Sequence, residues 1–220
     1  KTTLGNESSP FTYRDSENII FKGASKVTNG LFEIDFIVPK NISYQVGTGK
    51  INMYAFNDKN EDANGSDINL KIGGTAPNPA KDEKGPDIKL NIGDTLNTNL
   101  NGVSHNTNLV AILRDESGIN LSSFGIGNNI TITIDDETTF VANEYYRAFE
   151  NDFTSGYLSF PLNDLTQGPH TAKIKVWDTY NNSSESEISF TVANPNEVVI
   201  YRVENYPNPF SNSTNFRFTH

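Results

Sequence analysis

The sequence contains no cysteine. Within these 220 residues that excludes a disulfide framework, a thiolate metal site and a thiol nucleophile. Histidine is nearly as scarce. His105, His170 and His220 are scattered without metal-ligand spacing. His170 follows Gly168 and Pro169 at the entrance to a strand pattern, where it reads as a turn or cap residue and not as a base. No glycine-rich loop joins a strand to a helix, so phosphate binding has no support, and "SFGIGNN" at 123–129 reads as a turn. Lys and Arg total 17 against 27 Asp and Glu, giving a net charge of −10 and a pI near 4.7. That balance argues against a nucleic-acid partner, which needs clustered cations. No run approaches the roughly 18 apolar residues of a membrane-spanning helix, so the chain is not expected to span a membrane. It opens Lys1-Thr2-Thr3, which leads us to expect an internal piece of a longer, exported precursor.

What is present is period two. "LFEIDFIV" sets Phe32, Ile34, Phe36 and Val38 on one face, and Pro39 ends the pattern. Ile68, Leu70 and Ile72 alternate in the same way, as do Ile88, Leu90 and Ile92, then Ile130, Ile132 and Ile134. Further on, Ala172, Ile174 and Val176 alternate with lysines, and Ile188, Phe190 and Val192 point inward. Turn chemistry falls between these runs at 28–30, 47–49, 62–67, 167–170 and 181–184. "LVAILRDESGI" favours a strand over 109–113, and "ANEYYRAFEND" is a short helical candidate. The predicted fold is all-β: tandem immunoglobulin-like sandwiches followed by a partial hairpin. The boundaries are a partial sandwich at 1–76, a Pro- and charge-rich linker at 77–86, a sandwich at 87–193, and an unfinished unit at 194–220 whose boundary is marked by "ANPNE" at 193–197.

Two clusters carry candidate chemistry. "DKNEDANGSD" places oxygens at Asp58, Asn60, Asp62, Asn64 and Asp67, a spacing that can wrap a hard cation such as calcium. The alternative is a solvated hairpin turn, because Gly65 comes late for a calcium loop and no closing Glu follows. "NEYYRAFEND" gathers Tyr145, Tyr146 and Phe149, which suit either a sugar platform or a β-core. Asp135 and Asp136 are adjacent, so a strand would point them apart and a turn suits them better than a catalytic dyad.

The tail, "VENYPNPFSNSTNFRFT", resembles the opening of the C-terminal sorting domain carried by cargo of bacterial type IX secretion. The residues that carry the resemblance are Asn205, Tyr206, Pro207, Asn208, Pro209 and Phe210, followed by a strand containing Phe216 and Phe218. Pro207 and Pro209 stiffen an extended loop that Phe210 can anchor on a core. Upstream, the stretches 10–23, 29–55, 113–136 and 156–192 resemble the C-terminal half of type IX secretion sortases, which are gingipain-type cysteine peptidases. This resemblance implies a parent enzyme at the outer membrane of a bacterial cell that removes cargo sorting domains and helps attach cargo to surface lipopolysaccharide. It also implies partners among type IX secretion components and cargo sorting domains. The family's catalytic His and Cys lie upstream, so no catalytic residue carries over and no cofactor is implied beyond the calcium candidate. The alternative is a surface adhesin or other exported cargo whose β-domains are spacers or glycan-binding modules. A peptidase domain encoded upstream of Lys1 would distinguish the two.

Overall fold

The computed structural model describes residues 2–3, 11–12, 18–78, 81–93, 102–123, 127–193 and 201–219. The "ANPNE" boundary beyond Ala193, residues 124–126 of the "SFGIGNN" stretch and His220 lie outside the described residues. The fold is all-β, with no α-helix among the described residues. In chain order the strands are β1 (Thr2–Thr3), β2 (Phe11–Thr12), β3 (Gly47–Thr48), β4 (Ile51–Phe56), β5 (Asp62–Asp67) and β6 (Lys71–Ile72). Next come β7 (Asp87–Ile92), β8 (Thr107–Arg114), β9 (Thr131–Ile134), β10 (Thr138–Val141) and β11 (Tyr146–Phe149). The last are β12 (Asp152–Leu162), β13 (Gly168–Trp177), β14 (Ser183–Val192), β15 (Tyr201–Tyr206) and β16 (Asn215–Thr219).

Strands β7 to β14 make two antiparallel four-stranded sheets, ordered β10-β9-β13-β14 and β11-β12-β8-β7. Their inward residues form one core. Leu109, Ala111 and Leu113 of β8 and Leu158, Phe160 and Leu162 of β12 meet Ile132, Ile134, Ala172, Ile174, Val176, Phe190 and Val192 from the other sheet. The alternation read in the sequence therefore supplies both inner faces. Each fully buried Ile or Leu contributes roughly 1.5–3 kcal/mol. Asn143, buried beside this core, receives the Ile130 amide on Oδ1 at 2.8 Å and donates from Nδ2 to the Leu121 carbonyl at 2.9 Å. It thereby satisfies the buried amide just before β9 and a buried carbonyl of the segment that follows β8. The helix expected over "ANEYYRAFEND" is a single 3-10 turn, Asn143–Tyr145, leading into β11. Tyr146 is buried while Tyr145 and Phe149 stay half exposed, so the three aromatics do not form one platform.

Outside the sandwich the sheets are small. β3 pairs with β6, β4 with β5 and β15 with β16, each as a separate two-stranded sheet. The strand expected over 32–38 is absent: these residues carry no ladder, and Phe32, Ile34 and Val38 are exposed. Alternation makes a strand only where a neighbour supplies hydrogen bonds. Here the flanking residues lean on the sandwich instead. The Ala148 and Asn151 amides donate to the Lys22 and Ala24 carbonyls, the Lys40 amide donates to the Thr179 carbonyl, and Phe21 stacks on Phe36 at 4.9 Å. "DANGSD", read as a turn, is strand β5, and "GTG" includes strand β3. Of the run over 68–72, only Lys71–Ile72 pairs. The turn at 28–30 is present, with Asn29 and Gly30 both left-handed.

Candidate functional site

Asn57 explains why the β4–β5 turn comes earlier than expected. Its Oδ1 receives the Lys59 amide at 2.9 Å and the Glu61 amide at 3.1 Å, closing a loop over 57–61. Asp58 and Asn60 therefore sit in the turn, Asp62 and Asn64 share one face of β5, and Asp67 ends that strand on the opposite face. Asp62 and Asp67 stand roughly 16 Å apart at strand spacing. Asp62 Oδ2 accepts the Tyr54 hydroxyl at 3.1 Å, and Asp67 Oδ1 accepts the Asn69 amide at 2.8 Å. The five oxygens are strung along a hairpin and are not gathered.

Carboxylates do gather elsewhere, at Asp82, Asp115 and Asp178. One oxygen from each lies within 4.8 Å of the others, so the trio could hold a metal ion. Three separate segments deliver them. Residues 81–86 lie against the β13–β14 turn, held by Asn182 Nδ2 donating to the Asp82 carbonyl at 3.1 Å. Asp115 follows β8 and receives the Ser117 amide and hydroxyl. Asp178 follows β13, is fully buried, and accepts the Tyr180 and Asn182 amides on Oδ1 and the Asn182 side-chain amide on Oδ2. Burial pushes both the Asp115 and Asp178 carboxyls above the ordinary value. The hydrogen bonds from Ser117 and Asn182 oppose that rise, and the neighbouring carboxylates add to it. No sequence spacing signals this group, because its members meet only through the fold.

A second polar group joins two residues that were read separately. His170 Nδ1 lies 2.7 Å from Asp135 Oδ2, and Nε2 lies 2.7 Å from the Thr166 carbonyl oxygen. A general base needs a free ring nitrogen aimed at a nucleophile or water; here both nitrogens are engaged. Burial would lower the His170 value, but the Thr166 carbonyl and the Asp135 carboxylate together raise it above the ordinary range. For Asp135 burial acts upward, and the Thr171 amide and His170 outweigh it to leave the carboxyl below its usual value. Asp136 turns the other way, to Lys173 at 2.9 Å, as the sequence reading of a turn required.

The tail motif forms a loop between β15 and β16. The Tyr206–Pro207 and Asn208–Pro209 bonds are cis, Tyr206 pairs with Asn215, and the Thr214 hydroxyl donates to the Pro207 carbonyl at 2.9 Å. Asn205 lies at the end of β15 opposite Phe216. Phe210 does not anchor the loop on a core: it is 55% exposed, and Tyr206 is 73% exposed.

Fold and sites together define an all-β sandwich with appended hairpins and no assembled catalytic centre among the described residues. No family model matches the chain, and no curated protein matches it. A solved structure does: dimeric latent PorU from Porphyromonas gingivalis matches with 32% identity, a TM-score of 0.51 and coverage of 100% of this chain. The chain is related to the C-terminal region of PorU. It spans about a fifth of the length of the matched PorU chain, 21%.

Proposed function

We propose that this chain is the non-catalytic C-terminal β-sandwich region of a type IX secretion sortase. The parent removes sorting domains from cargo at the outer membrane and helps attach cargo to surface lipopolysaccharide. The observation that carries this reading is the match to PorU along the whole chain at 32% identity. Two features support the non-catalytic part: the sequence has no cysteine, and both His170 nitrogens are occupied. On this reading the partners are cargo sorting domains and other type IX secretion components, and the site of action is the cell surface. Among the described residues no helix is long and apolar enough to cross a membrane, which says nothing of a β-barrel.

The test has two arms. The isolated chain, incubated with a sorting-domain substrate, should give no cleavage; turnover that survives further purification overturns the non-catalytic assignment. Deleting residues 87–193 from the intact parent should leave cargo unprocessed at the surface. Normal processing and attachment after that deletion would remove the sandwich from the sorting machinery.

A further inference from the structure

His170 sits at one end of the sandwich, where three segments meet. It is the third residue of β13, and its ring stacks on Phe190 of β14 with centroids 5.7 Å apart and planes 26° apart. Nδ1 faces the β9–β10 turn through Asp135, and Nε2 faces the 163–167 segment through the Thr166 carbonyl. Both facing atoms are acceptors only. A neutral imidazole has one N–H and one lone pair, so it donates to one of these acceptors and turns its lone pair on the other, with the Thr166 hydroxyl, 3.4 Å from Nε2, as a long compensating donor. Only the imidazolium donates to both. The residue is 8% exposed, so most of the ring is withdrawn from water and an unmet contact there carries a desolvation cost.

The turn that His170 holds depends on such support. Asp135 and Asp136 are both left-handed, with φ of 53° and 55°, a conformation non-glycine residues adopt at some cost. Asp135 fastens it further: Oδ1 accepts the Thr171 amide at 2.8 Å, and the Asp135 amide donates to the Thr171 carbonyl at 3.0 Å. The charged groups around the ring are simply placed. From the turn, Asp135 faces it, while Asp136 is taken by Lys173. From β14 comes the uncharged Phe190 ring, and from the 163–167 segment the Thr166 carbonyl with its hydroxyl 3.4 Å from Nε2. Among the described residues Asp135 is the charged group acting on the ring.

We propose that His170, Asp135 and the Thr166 carbonyl form a proton-operated clasp that fastens the β9–β10 turn and the 163–167 segment to β13, and that loss of the ring proton releases this end of the sandwich. The location gives release a consequence. Residues 190–193 are where the chain leaves the sandwich toward its C-terminal hairpin, and Val103 brackets the same exit by donating to the Thr191 carbonyl and accepting from the Ala193 amide. The clasp therefore sets how firmly the exit is held. Its direction with pH follows from linkage. The folded chain binds this proton more tightly than the unfolded chain does. The stabilisation is thus complete below the ordinary histidine value of 6.5 and is lost as pH rises through the higher folded value.

The test uses the whole 220-residue chain. Proton NMR between pH 5 and about 9 follows the His170 ring signal, assigned by its loss in His170→Asn. Amide exchange at Asp135 and Thr171 is measured in parallel, relative to Ile132 and Ile174 in the core. The expected result is a His170 midpoint above 6.5, with a several-fold loss of relative protection at Asp135 and Thr171 through that midpoint. Asp135→Asn, which keeps the turn residue's shape but not its charge, should bring the midpoint down and abolish the pH-dependent loss. A midpoint at or below 6.5, or protection unchanged as His170 titrates, overturns the clasp.

Discussion

Strand β9 and strand β4 are built from similar material and end in opposite states. β9, Thr131–Ile134, alternates half-buried threonines with buried isoleucines, and it lies between β10 and β13 over a second sheet. β4, Ile51–Phe56, carries Ile51, Met53, Tyr54 and Phe56, yet every residue along it is exposed, because among the described residues β5 is its one ladder partner and no second sheet covers it. The lesson is that alternation specifies which side would be buried, while burial itself needs a second layer. A two-stranded hairpin is marginal in water, whereas two four-stranded sheets share one core. The tail hairpin repeats the case of β4–β5. Tyr206, Phe210, Phe216 and Phe218 are exposed on its two strands and the loop between them.

The largest effect expected from this contrast is at Ile174, in the middle of β13 and fully buried between the sheets. Ile174→Ala removes buried methylenes and leaves a cavity, and should cost about 2–5 kcal/mol. Urea unfolding followed by tryptophan fluorescence reports it, since Trp177, the single Trp, sits on the same strand. An unchanged midpoint would show that the two sheets are not one cooperative unit.

This contrast also marks what the sequence could tell. Strands β7, β8, β9, β13 and β14 were legible because β-branched residues alternate between turn residues and the fold then covers one face. The run over 32–38 has the same pattern and no ladder, since nothing in a single strand's sequence reports whether a partner stands beside it. "DANGSD" was misread because its Gly, Asn and Asp suit a turn, whereas the turn is set by Asn57, whose side chain captures two amides just upstream. The sites were less legible still. Asp135 was recognised as a turn residue, whereas His170, expected at a turn, lies within β13 opposite Phe190; their pairing depends on the register that places β9 beside β13. Asp82, Asp115 and Asp178 lie far apart in sequence, and Asp82 came from a stretch read as linker.

A smaller effect should appear at that acidic group. Asp115 and Asp178 have raised values, so their ionisation weakens the fold: the stability present below the ordinary carboxylate value of 3.8 is lost as pH rises through the folded values. The Asp82 charge adds to both. Asp82→Asn removes that charge but keeps an oxygen for the Lys84 amide, which Asp82 Oδ1 now accepts at 3.1 Å. The variant should gain about 0.5 kcal/mol at neutral pH, because the group is partly solvated, and the gain should fade toward pH 4. Thermal unfolding at the two pH values measures it. A loss at neutral pH would reverse the argument, since it would mean that the third negative charge is needed, as it would be around a bound cation.

The smallest effect is expected where the apolar surface is most open. Phe56 is 76% exposed, opposite Asp62 on β5, with its ring 6.1 Å from that of Tyr54. Phe56→Ser removes a large apolar side chain, yet little of its area leaves water on folding, so the hydrophobic term that penalises Ile174→Ala has almost nothing to act on. The remaining loss is a tilted ring contact between exposed groups. The expected change in the urea midpoint of the sandwich is within about 0.5 kcal/mol. A second readout keeps this near-zero result informative. If β4–β5 is a separate, loosely held hairpin, the amides of 51–56 should exchange much faster than those of 172–176 in wild type and variant alike. A cost comparable to that at Ile174, or equal protection of the two strands, would show that the hairpin belongs to the same cooperative core, and the comparison between β4 and β9 would fail.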